Sequence, residues 1–205
     1  MSQLSIAGPA RRQAPNSPVR GPSYCAGQEI LVSRAHAKVY RIASGWAFAG
    51  RILLDGRRQI VTFLLPGDPL NAAAVLGGDD GLTVFALSDI DLDSTSPTTQ
   101  HEAISAALSQ LARLSEQSIS LGRRTAYERV ATFLLQIGER LDVKAGRRCQ
   151  CHDVPLRLEH VSDHLGLSVV HVSRTMTQLR ADGLGGLRRG TLELHDRARL
   201  AQLAA

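Results

Sequence analysis

The sequence predicts an α+β fold in three successive parts: an antiparallel β-barrel or jelly roll, one long helix, and a helical unit closed by a hairpin. Three observations carry that expectation. Between Tyr24 and Leu92, short β-type runs are punctuated by Gly, Pro and Asp. From Ile104 to Leu121, apolar residues recur at helical spacing. Pro155 to Leu184 then divides into two short amphipathic segments about a glycine, and Leu184 to His195 alternates around Arg-Arg-Gly.

Composition sets the bounds. The chain has 205 residues, enough for one large or two small domains, with 43% apolar but only 4% aromatic residues, so aliphatic packing dominates. The formal charge of +5 is unevenly spread: residues 1–122 carry ten basic and ten acidic side chains, and residues 123–205 carry fourteen and nine. An excess of positive charge confined to one half is the electrostatic footprint of a nucleic-acid binder. No apolar run approaches the ~20 residues that span a bilayer, and no signal-peptide pattern opens the chain. Membrane partners are therefore not expected. Cys25, Cys149 and Cys151 are too few and too poorly spaced for a disulfide framework, which points to a reducing, cytoplasmic setting.

Taken in order, residues 1–22 are rich in Pro, Ser, Gln and Arg without periodicity and read as a flexible N-terminal arm. VYRIASG, WAFAGRILL and RQIVTFLLPGD are candidate strands, with Asp55-Gly56 a hairpin turn between the last two; LTVFALSDIDL (Leu82–Leu92) closes the series. A sensor-like β-barrel domain is assigned to 23–97, with a polar linker at Ser94–Thr99. Ile104, Leu108, Leu111 and Leu114 stripe a helix within 98–122. That stripe faces a twin helix in a homodimer, the preferred reading, or packs on the chain's own strands. Arg123–Leu141 is a further helix burying Val130, Phe133, Leu134 and Ile137. Asp142–Asp153 is read as a loop.

The two segments that follow are the most informative. Leu158, Val161 and Leu165 stripe a first helix, and Ser162 is small where a second helix must approach. Gly166 suits a turn that needs positive φ, Leu167 plugs the angle, and Ser168 is an N-cap. Val172, Met176 and Leu179 face inward. The outward residues are Val169, Val170, His171, Ser173, Arg174 and Thr177, a set suited to base edges in a major groove. Arg174 leads it, because a guanidinium donates two parallel hydrogen bonds to guanine. His171 either joins that set or covers the helix pair. The hairpin beyond, with Arg188 and Arg189 at its tip, has the place of a wing. With Ser168, Arg157 and Arg180, those arginines are candidates for phosphate contacts. Asp196 caps a last helix, Arg197–Leu203. Residues 123–205 thus form a winged helix-turn-helix domain, and the partner is double-stranded DNA.

With the β unit, the long helix and the winged helix-turn-helix in this order, the chain resembles the Crp/Fnr superfamily of bacterial transcription regulators. Four stretches carry the resemblance: SGW (Ser44–Trp46), DGRRQIVTFLLPGD (Asp55–Asp68), LGRRTAYERVATFLL (Leu121–Leu135) and DHLGLSVVHVSRTMTQLRADGL (Asp163–Leu184). It implies a cyclic-nucleotide-binding-like sensor domain, a homodimer joined through the long helix, recognition of a palindromic operator, and RNA polymerase as a further partner. Two departures stand out. Members that bind cyclic AMP carry an FGE-type turn and an arginine after the PGD strand. Here Pro66-Gly67-Asp68 is followed by PLNAAAVLGGDDGLTVFAL, without that Glu or any Arg. A cyclic phosphate would lack its charge-assisted partner, which argues against cyclic-AMP dependence. Many members also place a Glu four residues before the recognition arginine. Val170 stands there instead, offering a methyl surface suited to thymine.

Other chemistries compete less well. Cys149, Cys151 and His152, with His160 and His164 beyond, are potential zinc ligands, but C-x-C lacks the usual two-residue gap; alternatively His164 is a surface residue. The oxygen-responsive branch of the family needs four thiolates for an iron–sulfur cluster, and three cysteines do not supply them. A redox role for Cys25 or Cys149 stays open, since Arg147 and Arg148 would favour a thiolate at Cys149. Enzymatic motifs lack their contexts, and the strands hold only His36, with His101 just beyond, for a cupin-like metal site. The sequence therefore predicts a DNA-binding regulator with no enzymatic activity, no cofactor and no metal. A redox- or metal-responsive regulator using Cys149/Cys151, and an interaction module with a degenerate DNA-binding end, are the alternatives.

Overall fold

The computed structural model describes residues 19–30, 39–70, 81–95 and 100–204. Most of the arm, His36, the segment 71–80 after the PGD turn, and linker residues 96–99 lie outside the described residues.

Among the described residues, the first unit holds seven strands: β1 (Val19–Tyr24), β2 (Val39–Ser44), β3 (Ala47–Ile52), β4 (Arg58–Leu64), β5 (Pro69–Leu70), β6 (Thr83–Ala86) and β7 (Ile90–Thr95). They form two antiparallel sheets, ordered β1-β7-β2-β5 and β4-β3-β6. Among the described residues these sheets do not join into a closed barrel, so the jelly-roll form of the expectation fits better. Ile42, Ala47, Leu64, Ile90 and Leu92 fill the space between them. The Asp55-Gly56 turn is present, with Gly56 at φ 81° and Leu53 N donating to Arg57 O at 2.7 Å.

Two readings of the first unit need correction. Leu82–Leu92 is not one strand: the chain leaves the β3–β6 sheet at Ala86 and enters the other at Ile90. Ser88 Oγ accepts from Trp46 N (3.0 Å) and Asp89 Oδ1 from Ala26 N (3.0 Å) at that crossing. In addition, β1 reaches back into the segment read as an arm, because β7 offers Val19–Tyr24 an antiparallel partner distant in sequence.

Among the described residues, five helices follow or flank the remaining strands. α1 spans Gln100–Arg123 and α2 spans Ala126–Ala145. Thr125 separates them through a capping box: Thr125 Oγ1 accepts from Glu128 N at 3.3 Å, and Glu128 Oε2 accepts from Thr125 N at 2.7 Å. Gly146, at φ 65°, ends α2 in the left-handed conformation. Among the described residues no helix is long and apolar enough to cross a membrane.

The segment 142–153 is not simply a loop. It contains the last turn of α2 and a short strand, β8 (Cys151–Asp153). Asp142 organises it from a buried position. Its Oδ1 accepts from Cys149 N at 3.0 Å and lies 3.0 Å from His152 Nε2, while Oδ2 pairs with Arg197 at 2.9 Å. Asp142→Ala would remove the carboxylate from the half-buried His152 imidazole and Arg197 guanidinium, leaving Arg197 only the Cys149 carbonyl at 2.6 Å. A loss of about 2–4 kcal/mol is expected, read as a lower urea midpoint with an unchanged slope.

The strands and the C-terminal helices share one core. Trp46, Phe48, Ile60, Phe63 and Leu65 pack with Val130, Phe133, Leu134 and Ile137 of α2, and onward with Val161, Leu165, Val172 and Met176. Polar contacts fasten the same boundary. Arg58 pairs with Asp163 at 2.6 Å, and Arg140 pairs with Asp68 of the PGD turn while donating to Phe63 O at 3.0 Å.

His164 sits at this joint, in contact with the rings of Phe63 and Phe133, and its Nδ1 donates to Ile60 O at 3.1 Å. It is half-buried rather than a surface residue, and it is not grouped with Cys149 and Cys151 among the described residues, so that ligand set is not assembled. Burial lowers its pKa from 6.5 to about 4, with the Arg140 charge acting in the same direction. An unfolded chain therefore takes up a proton that the folded chain refuses. The stability this represents is present above about pH 6.5 and is lost as pH falls towards 4, amounting to at most roughly 3 kcal/mol. Urea unfolding across that range should show the decline, and His164→Phe should flatten it. An unchanged acid limb in the variant would place the effect elsewhere; His160, whose pKa burial also lowers, would be next.

Candidate nucleic-acid interface

The helix pair is α3 (Leu158–Leu165) and α4 (Val169–Ala181). Gly166 joins them at φ 62°, its N–H donating to Ser162 O. Ser168 caps α4 from an extended backbone, Oγ accepting from His171 N at 3.2 Å. Val161, Ser162 and Leu165 of α3 are buried against Val172, Met176 and Leu179 of α4. Thr175 is buried as well, a core position that its polarity concealed from the sequence reading.

The opposite face of α4 is free. Val169, Val170, His171, Ser173, Arg174 and Thr177 are all exposed, Val170 at 61%. His171 therefore does not cover the helix pair. Among the described residues, no carboxylate lies within ion-pair distance of Arg174 and no hydrogen bond holds its guanidinium. Thr177 differs: its hydroxyl donates to Ser173 O (3.0 Å) and accepts from Arg180 Nη2 (3.1 Å), which leaves its methyl as the unengaged group.

The hairpin forms as expected, from β9 (Gly185–Arg188) and β10 (Thr191–Leu194), with Leu187, Leu192 and Leu194 buried. Arg188 and Arg189 are exposed at its tip, and Arg189 itself turns at φ 50°. Gly185 is required at the base: at φ 131°, an added Cβ would fall 2.1 Å from Glu193 O. β8 completes a sheet ordered β8-β10-β9. Arg157 is exposed where α3 begins, and Arg180 lies partly buried with its stem over Gly186. The last helix, α5 (Arg197–Ala204), starts where Asp196 Oδ1 accepts from Arg199 N at 2.9 Å.

One supporting contact was not legible in the sequence. Tyr127 of α2 donates its phenolic hydrogen to Asp182 Oδ2 at 2.6 Å, tethering the end of α4. Burial, then the Asp182 carboxylate, pushes the Tyr127 pKa up to about 12. The only cue was the pair of types, 55 residues apart.

The long helix presents the predicted stripe outward. Ile104, Leu108 and Leu111 are exposed by 42%, 61% and 59%, so they are not packed on the chain's own strands, whereas Leu114 is partly buried. The thiol and imidazole candidates are dispersed. Asp142, Cys149 and His152 bring potential ligand atoms within 4.8 Å of one another, but Cys151, His160 and His164 are not part of that group. The Asp142 carboxylate is already shared among Cys149 N, His152 and Arg197, and Cys25 is exposed in the first unit.

Comparison with known proteins places this geometry. The family model for a Crp-like helix-turn-helix domain matches residues 128–203. The nitrogen fixation regulation protein FixK of Rhizobium meliloti (strain 1021) is 31% identical over 181 residues, covering 84% of this chain and 82% of its own length. The chain belongs to the Crp/Fnr family of transcription regulators. The transcriptional activatory protein AadR of Rhodopseudomonas palustris is similar too, at 32% over 155 residues, 71% of this chain and 64% of its own. The solved structure of FixK2 from Bradyrhizobium japonicum superposes with a TM-score of 0.75 at 30% identity, covering 91% of this chain and 98% of that one. As a Crp/Fnr-type protein the chain is a DNA-binding transcriptional regulator, with an N-terminal strand unit and a C-terminal helix-turn-helix. Its relatives are transcription regulators rather than enzymes.

Proposed function

We propose that this Crp/Fnr regulator acts as a cytoplasmic homodimer in which α1 of one chain packs on α1 of its partner. Each α4 then enters the major groove of one half of a palindromic operator. The observation that supports this reading is the exposed α4 face, with Arg174 held by no partner among the described residues, beside a basic wing. A guanidinium left free on an exposed helix face is available for two parallel bonds to a guanine. Ser173 and His171 flank it as polar contacts. Val169, Val170 and the Thr177 methyl offer apolar surface, with Val170 suited to a thymine methyl. Ser168, Arg157, Arg180, Arg188 and Arg189 would hold the backbone, and binding to RNA polymerase would follow from the same docking. Residues 23–97, 98–122 and 123–205 serve as sensor, dimerisation and DNA-binding parts. No catalytic role, cofactor or metal enters the reading. Cyclic AMP is not the signal, because the sequence after Asp68 offers neither the Glu nor the Arg a cyclic phosphate would need.

Mapping of bound genomic fragments tests the reading directly: a palindrome with two equivalent half-sites is expected, and unsymmetric or sequence-independent binding would overturn it. Arg188→Ala should weaken specific and random duplexes to a similar extent, and reduce the salt slope of log K by about one per chain, about two for the dimer. A loss confined to the specific site would make Arg188 a base reader instead.

A further inference from the structure

A cleft of about 880 Å³ lies between the strand unit and the winged domain, and none of α4's outward residues from Val169 to Thr177 is among its described lining. Its floor joins both units: Phe48 and Phe85, stacked at 5.3 Å, from one side, and Leu156 and Leu187 from the other. Its rim is cationic, with Arg58, Arg157, Arg180, Arg188 and Arg189. Among the described residues that line it, none carries a carboxylate. Arg58 alone of these has an ion-pair partner, Asp163, and its guanidinium carbon lies 4.9 Å from the Phe48 ring centroid. Among the described residues, the other four have none.

We propose that this cleft binds a small aromatic anion, a flat ring bearing a carboxylate, and that its occupancy competes with DNA for the rim arginines. The volume falls within the range of ligand pockets. The apolar and aromatic floor offers a ring its contact surface, and unpaired guanidiniums favour a planar, bidentate acid over a neutral molecule. A solvated inorganic anion would satisfy the rim but not the floor. Because Arg157, Arg180, Arg188 and Arg189 are also the groups assigned to DNA phosphates, an occupant draws positive charge away from the duplex. That competition rests on the proposed DNA reading; binding of the anion does not.

The test is isothermal titration of the full-length protein, without DNA, using 2-naphthoate. Saturable binding of one molecule per chain is expected. The neutral 2-naphthalenemethanol and inorganic phosphate should each bind at least about tenfold more weakly. Arg157→Glu, at an exposed position, and Phe85→Leu, which keeps an apolar side chain, should each weaken naphthoate by about tenfold with little change in melting temperature. Absence of saturable heat, phosphate binding as tightly as naphthoate, or an affinity that neither variant alters would overturn the site. A second titration, of operator DNA with and without saturating naphthoate, should show weakened DNA binding; an unchanged DNA affinity would overturn the competition. If Arg188→Ala leaves DNA binding intact, the phosphate reading fails while the naphthoate result stands independently.

Discussion

Replacing Arg174 by Ala is expected to weaken binding to the specific operator by roughly 1–3 kcal/mol per half-site, about five- to over a hundredfold for each, with little change on random DNA. The fold should be indifferent, because Arg174 is exposed and makes no polar contact among the described residues. On the proposed reading, what is lost is a planar fork with two donors for one base. Arg174→Lys should therefore recover only part of the loss: an ammonium keeps the charge but not the bidentate geometry. Fluorescence anisotropy at one fixed salt concentration, with specific and scrambled duplexes, measures both effects. Equal losses on the two duplexes would make Arg174 a phosphate contact and move the base reading to other positions on α4.

The second large effect concerns symmetry. In the double variant Leu108→Glu and Leu111→Glu, the chain should sediment as a monomer and lose at least about a hundredfold in operator affinity. Both side chains are already exposed in the single chain, so the substitution removes no intrachain packing. In a dimer the same positions would place four carboxylates in an apolar seam, where burial of unpaired charge is costly. A monomer presents one recognition helix at a time, and the second half-site no longer benefits from the first being held. A variant that remains dimeric would show that α1's apolar stripe is covered by something other than its twin.

Those two experiments probe features with different legibility. The helix pair was readable because each part of it obeys a local rule. Gly166 has to tolerate positive φ, Ser168 caps the next turn, and the spacing of Val172, Met176 and Leu179 leaves Arg174 outside. The wing was readable for the same reason, since alternation about Arg-Arg-Gly signals a hairpin without reference to the rest of the chain. Strand β8 was not. Three residues carry too little pattern, and Cys151–Asp153 pairs with a strand some forty residues later. The break between β6 and β7 was likewise hidden, because both halves carry strand-type patterns and only the arrangement of two sheets separates them.

The sequence alone determined the order of the parts, the helix pair with its cap and turn, the free α4 face, the basic hairpin and the apolar stripe of the long helix. These follow from neighbours in the chain: propensity, periodicity and the conformational needs of single residues. Only the tertiary structure decided that His164 is enclosed beside Phe63 and Phe133, that Asp142 holds β8 and Arg197, and that strands and winged domain share a core and flank a cationic cleft. Each depends on groups tens of residues apart being brought together. Their solvent exclusion and electrostatics arise only when the chain closes on itself.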